Sequence, residues 1–288
     1  MLIFAIHIFL YVQTTLFKIF CSAQFVDNNQ FSAQFENRKA DKSKEKLVVV
    51  DTLMGKVIGV NKGPVNLFLG IPYAEPPVGK LRFRPPKPKR HWQSKVYNAT
   101  HFAPECLQST LFAGESESRI KDEDCLYLNI WQPVDIRKSK IQRDVPIKYP
   151  VLVWIYGGAF VHGGSSLPEY YGDKLAARGV IVVSFNYRLG IFGFLVSTAD
   201  GLFGNYGLDD QKTALQWVQD HISSFGGDPD RITLFGESAG AMSIGLHILD
   251  QQLKLEKIYP VVDDDINYGF PRKLFHAAIL QSNPFGYK

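Results

Sequence analysis

A β-strand with one wet face alternates apolar and polar residues, whereas a strand covered on both faces is apolar almost throughout. The stretches VLVWIY (151–156), GVIVVSFNY (179–187) and RITLFG (231–236) are of the second kind. They are short, as buried strands are, and segments of helical period stand among them. Leu208, Leu215, Val218 and Ile222 recur at helical spacing, which buries one face of a helix. FGGDPDR (225–231) ends that helix with glycine and proline. AGAMSIGLHIL (239–249) predicts a second helix, and HAAILQS (276–282) a further strand. CLYLNIW (125–131) alternates with period two and predicts a half-buried strand. Strands separated by helices need crossover connections. The chain is therefore expected to be α/β, with a mostly parallel central sheet and helices on both faces.

The N-terminal half reads differently. LVVVDT (47–52) and GKVIGV (55–60) predict two short strands joined at Met54–Gly55. IPYAEPPVGKLRFRPPKPKR (71–90) is proline-rich, and each proline removes a ladder donor, so it predicts neither a helix nor a central strand. Hydrophobic and charged contents of 45% and 21% are ordinary for a globular protein, and 288 residues suffice for one large domain. The net charge of +4 is mild. Basic residues gather in two short runs, Arg38 to Lys46 and Lys80 to Arg90, and form no basic stripe of the kind that binds nucleic acid, so they read as solvated faces or flexible segments.

The run MLIFAIHIFLYV is too short for a membrane span and fits the apolar core of a signal peptide. Cys21-Ser22-Ala23 supplies a small-residue cleavage site, giving a signal peptide over 1–23. No basic residue precedes Lys18, so an uncleaved membrane anchor is the competing reading. Residues 24–46 are polar and charged and predict a flexible arm. These features point to a secreted, extracellular protein, with the ER lumen or a membrane-anchored form as alternatives. Cleavage leaves Cys106 and Cys125, which in an oxidising compartment read as a disulfide. Such a bridge closes a loop of roughly 20 residues and stabilises by about 3 kcal/mol. Asn98-Ala99-Thr100 is an acceptor sequon for N-glycosylation.

Gly236-Glu237-Ser238-Ala239-Gly240 fits G-x-S-x-G. The motif is weak alone and gains weight from its position between a buried strand and a helix. A sharp strand-to-helix turn strains the serine, and a Cβ on either glycine would clash. The hydroxyl is left exposed above the sheet, with the N–H groups of the next helix aimed at it. Acyl transfer through a serine also needs preorganised oxyanion donors. Tyr156-Gly157-Gly158-Ala159-Phe160, directly after VLVWIY, is a glycine-rich turn that can expose such N–H groups.

FGGDPDRITLFGESAG (225–240), EDCLYLNIWQP (123–133), FLGIPYAEPPVGKLRFRPP and WIYGGAF together resemble the type-B carboxylesterases, the group that includes cholinesterases. The resemblance covers roughly residues 47–282 and implies the α/β-hydrolase fold, incomplete at its C-terminal side, with residues 47–288 its N-terminal part. It implies Ser238 as nucleophile and the N–H groups of Gly158, Ala159 and Ala239 as oxyanion hole. Ala159 stands where many members have glycine, which keeps the N–H and narrows the hole. Glu237 matches an acidic position close to the catalytic histidine of cholinesterases. Cys106 and Cys125 match the family's first disulfide. The segment LQSTLFAGESESRIKDED between them has no tryptophan, whereas cholinesterases carry a choline-binding one there, so a general carboxylic ester hydrolase is expected.

In this fold the triad runs Ser, then Asp or Glu, then His. The family places that acid and histidine beyond residue 288. His247 lies in the helix after the motif, His276 opens a strand, and His162 follows the glycine turn; none has the context of a triad base. Asp250 and Asp263 to Asp265 have no motif behind them. The expectation is a serine esterase whose catalytic acid and histidine are missing from this chain. It acts on a small-molecule ester with no cofactor and no metal, and touches a membrane only if the N-terminal segment stays uncleaved. A non-catalytic, cholinesterase-like adhesion protein and an inactive truncated fragment are the alternatives.

Overall fold

The computed structural model describes residues 46–92, 94–109, 119–134, 148–255 and 273–283. The expected signal peptide, and all of the expected arm but Lys46, lie outside the described residues, as do Asp263 to Asp265. The strands of the main sheet are β1 (Leu47–Thr52), β2 (Gly55–Lys62), β3 (Val65–Pro72), β4 (Val96–Asn98), β5 (Tyr127–Pro133), β6 (Tyr149–Ile155), β7 (Ile181–Phe185), β8 (Gly227–Glu237) and β9 (Ala277–Gln281). The long helices are α1 (Tyr206–His221) and α2 (Ala239–Leu255). Across the sheet the order is β1-β2-β3-β5-β7-β6-β8-β9, with β4 beside β2.

The chain has an α/β-hydrolase fold with a mixed sheet. Pairings from β1 through β7 are antiparallel, while β4 on β2 and the β7-β6-β8-β9 block are parallel. Chain connectivity explains the division. The first strands are joined by tight hairpins, which force antiparallel pairing, whereas β6, β7, β8 and β9 are separated by long connections that carry α1 and α2. The parallel block is where the alternation of buried strands and helices lies in the sequence.

β5 is covered on both faces, not half-buried as its alternation suggests. Leu128 and Ile130 are fully enclosed in the main core, and Trp131 lies in a second cluster with Val65, Leu69, Ala176 and Val182. Asn129, on the Trp131 side, is only 3% exposed. Its polarity serves buried partners: Oδ1 accepts the Gly70 N–H at 3.0 Å, and Nδ2 donates to Ser165 Oγ at 3.0 Å and Ser184 Oγ at 3.2 Å. β3 also extends into the proline-rich segment as far as Pro72, which occupies its last position and so interrupts no ladder.

α1 is amphipathic, with Leu215, Val218 and the following Ile222 at 0–1% exposure. Asp210 on the same helix is fully buried as well, against Arg188 from the turn after β7. Arg188 Nε donates to Asp210 Oδ2 at 2.8 Å and Nη2 to Oδ1 at 2.7 Å, while the Arg188 backbone N–H also reaches Oδ2. Nη1 donates to the Arg84 carbonyl at 2.8 Å, tying the proline-rich segment to the same point. Burial pushes the Asp210 carboxyl up from its usual range, and the guanidinium opposes that shift. A buried charge left without its partner is expensive. Asp210→Asn should therefore lower unfolding free energy by about 3–5 kcal/mol, read from urea denaturation; a loss below about 1 kcal/mol would show that the pair is not a structural joint.

Candidate active site

β8 ends at Glu237 and α2 starts at Ala239, so Ser238 alone makes the turn between them. Its φ is +54°, the left-handed region that a serine rarely adopts. Both ends of the turn are fastened. The Ser238 N–H donates to the Gln281 carbonyl of β9 at 2.9 Å, and the Ser238 carbonyl accepts the Met242 N–H at 2.9 Å, the first bond of α2.

The flanking glycines are sterically required. A Cβ on Gly240 would lie 2.0 Å from the carbonyl oxygen of Ile155, and one on Gly236 would lie 2.7 Å from the same atom. The last residue of β6 and the first turn of α2 therefore meet backbone to backbone. No other residue type fits between them without moving the helix off the sheet.

The chain leaves β6 through Tyr156 and passes directly in front of this turn. A Cβ on Gly157 would lie 3.1 Å from Ser238 Cβ, 2.7 Å from the Glu237 carbonyl and 2.9 Å from Glu237 Oε2. Gly158 has φ +107°, and Ala159 and Phe160 follow at +54° and +62°. Consecutive left-handed residues form a concave turn in which successive N–H groups point the same way. The Gly158 carbonyl accepts the Val161 and His162 N–H groups at 3.0 and 3.1 Å, closing the turn. Among the described residues, the N–H groups of Gly158, Ala159 and Ala239 donate to no backbone carbonyl. Ala239 opens α2, where the helix itself offers no acceptor. The fold thus brings Ser238, Glu237, Ala239, Gly158 and Ala159 to one spot at the C-terminal edge of the parallel strands, where open α/β sheets bind ligands.

Glu237 is half-buried, and burial raises its carboxyl above the ordinary range. Tyr170 is pushed up to about 12, by burial first and then by Glu169 and Glu237. Of the histidines of the sequence motifs, His247 has another engagement and His276 lies apart from Ser238. His247 is buried with Nε2 2.8 Å from Gln211 Oε1, and Gln211 Nε2 in turn donates to Ser243 Oγ behind the turn. His276 pairs with Ile232, six positions before Ser238 and so roughly 20 Å along the strand at about 3.3 Å per residue. His162 sits on the glycine turn, half-buried, with burial lowering its pKa.

Cys106 and Cys125 form a disulfide. Asn98 is exposed on β4, with Oδ1 accepting the Thr100 N–H at 3.2 Å. Among the described residues no group of three His, Cys, Asp or Glu side chains is disposed to hold a metal ion, and no helix is long and apolar enough to cross a membrane. A further set of polar residues, without motif in the sequence, underlies the glycine turn. Ser165 donates through N and Oγ to Asn186 Oδ1 at 2.9 and 2.8 Å, Asn186 Nδ2 donates to the Pro104 carbonyl, and Ser166 Oγ donates to Glu105 Oε1 at 3.1 Å. Only their isolated polarity beside buried strands could have marked them.

A profile of the Carboxylesterase family matches residues 46–285. The chain belongs to the carboxylesterase family. It is 47% identical over 205 residues to fumonisin B1 esterase of Sphingopyxis macrogoltabida, covering 69% of this chain and 36% of that protein. It is 43% identical over 250 residues to acetylcholinesterase of Danio rerio, covering 82% of this chain and 35% of that one. Among solved structures, a PNB esterase superposes with a TM-score of 0.63 at 42% identity, covering 81% of this chain and 44% of the other. The chain thus spans about a third of the length of the curated relatives it matches. The carboxylesterase core seen here is the part that carries the Ser238 turn and the glycine turn facing it.

The electrostatics of Glu237 make a prediction about stability. A folded-state pKa above the unfolded value means that the native protein binds the proton more tightly. That contribution is present below the unfolded pKa and is lost as pH rises through the folded value. Glu237→Gln should therefore melt at a higher temperature than the wild type at about pH 7, and the difference should close toward about pH 4. Calorimetry at the two pH values checks this, and equal melting temperatures at both would contradict it.

Proposed function

We propose that the full-length gene product hydrolyses carboxylic esters of small molecules through an acyl-enzyme on Ser238. The single observation that carries this reading is the approach of Gly157 to Ser238, which sets a turn with free N–H groups directly against the strained serine. The Ser238 hydroxyl attacks the ester carbonyl, and the developing oxyanion is met by the N–H groups of Gly158, Ala159 and Ala239. These donors are backbone groups fixed by the turn and by the start of α2, so little reorganisation is needed when charge develops. The alcohol leaves, and water then releases the acid from the acyl-serine.

The proton acceptor in this reading is a histidine outside residues 1–288, oriented by an acid that follows Ser238 in the family order. The dispositions of His247 and His276 support that view. Glu237 adjoins the nucleophile and would act on the imidazolium that forms during the reaction, through its charge. The chemistry asks for no metal and no cofactor. The lack of a tryptophan between Cys106 and Cys125 favours a neutral ester over a choline ester. An apolar N-terminal run, a disulfide and an exposed Asn98 in a sequon support a secreted glycoprotein.

A fluorophosphonate probe tests the reading on the full-length product. Wild type should be labelled at Ser238 and should hydrolyse p-nitrophenyl esters, and Ser238→Ala should lose both, with turnover down by about a million-fold. Labelling or hydrolysis that persists in Ser238→Ala would overturn the assignment.

A further inference from the structure

Gln108 stands two residues beyond Cys106, at the stem of the disulfide loop. Its carboxamide grips the backbone of Gly163 at both hydrogen-bonding groups. Nε2 donates to the Gly163 carbonyl at 2.8 Å, and Oε1 accepts the Gly163 N–H at 2.8 Å. Nε2 also donates to the Cys106 carbonyl at 3.1 Å, so one side chain joins the disulfide stem to the loop after β6. The pattern is that of a strand partner, supplied by a side chain over a separation of 55 residues.

Gly163 is the point at which that loop returns onto its own beginning. Its φ is +119°, and a Cβ there would lie 2.7 Å from Tyr156 Cδ2 and 2.9 Å from the Gly157 carbonyl. Gly157 is in turn the residue pressed against Ser238 and Glu237. A chain of direct contacts therefore runs from the disulfide stem through Gln108, Gly163 and Gly157 to the serine. Between Gly157 and Gly163 lie Gly158, Ala159 and Phe160 at positive φ, a conformation that is costly for the two that are not glycine and persists only if both ends of the turn are held. The β6 strand holds one end. Gln108 holds the other.

We propose that Gln108 is a positioning residue: its carboxamide fixes the return of the glycine turn so that the Gly158 and Ala159 N–H groups meet the oxyanion formed on Ser238. The inference rests on the serine-esterase reading above. Glutamine suits the role because it presents a donor and an acceptor together at this reach. A glutamate of the same size offers the Gly163 carbonyl no donor when ionised, and a leucine offers neither group.

The test is steady-state hydrolysis of a p-nitrophenyl ester by the full-length product, comparing wild type, Gln108→Leu, Gln108→Glu and Ser238→Ala, with a thermal melt of each. A misplacement of roughly 1 Å at such donors costs about a hundredfold in rate. Gln108→Leu should lose about 10- to 100-fold in kcat with KM within about twofold, because the lost interaction belongs to the transition state. Gln108→Glu should show the same kcat-selective loss, and it carries the test should the leucine variant fail to fold. Wild-type kcat in a folded Gln108 variant, or a loss confined to KM, overturns the proposal, as does a kcat loss explained by a melting transition at the assay temperature. If Ser238→Ala retains activity, the serine reading itself fails. If Ser238→Ala is inactive while Gln108→Leu keeps wild-type kcat, only the positioning role fails.

Discussion

The last residue of β6 and the first turn of α2 touch with no room for a methyl group. The Ile155 carbonyl lies where a Cβ of Gly240 would have to stand, and the same atom excludes a Cβ at Gly236. This contact sets the distance between helix and sheet, and with it the path open to the chain between Glu237 and Ala239. One residue must reverse the direction of the backbone, and it can do so only in the left-handed region. Ser238 is that residue. Strain in the backbone and the open N-terminus of α2 at the same place both follow from one close approach.

The glycine turn depends on the same strand end from the other side. β6 delivers Tyr156 and Gly157 to the front of the serine, and the turn's shape comes from three successive left-handed residues, two of them not glycine. Such a segment does not hold itself. Beneath it lie Ser165, Asn186 and Asn129, and beside it Glu105 and Gln108 at the disulfide stem. Each buried polar group there has a partner, which is how a polar cluster stays inside a protein at low cost. The disulfide Cys106–Cys125 holds the stem from which Glu105 and Gln108 reach the turn, so it bears on the site without touching it.

Much of this was legible in the sequence, for physical reasons that differ by element. The parallel strands β6, β7 and β8 announce themselves because burial on both faces removes polar residues from them. The serine turn announces itself because steric exclusion demands glycine at 236 and 240. The antiparallel half was legible only in part. The β1–β2 hairpin is local, but the pairing of β3 with β5 and of β5 with β7 joins segments about 60 residues apart, and apolar pattern carries no such information. β5 reads as half-wet because Asn129 is polar yet buried, and its partners at 70, 165 and 184 are remote in sequence. The pairing of Arg188 with Asp210, and of Gln108 with Gly163, is illegible for the same reason: a buried polar pair has no period and no motif.

The central claim is geometric, that Ser238 faces a preformed set of three backbone N–H groups. A crystal structure of the fluorophosphonate adduct of the full-length product measures it directly. The phosphoryl oxygen should lie about 2.7–3.1 Å from the backbone nitrogens of Gly158, Ala159 and Ala239, with Ser238 still in the left-handed region. A phosphoryl oxygen turned to solvent, or held by other groups while those nitrogens stand beyond about 3.5 Å, would contradict the account.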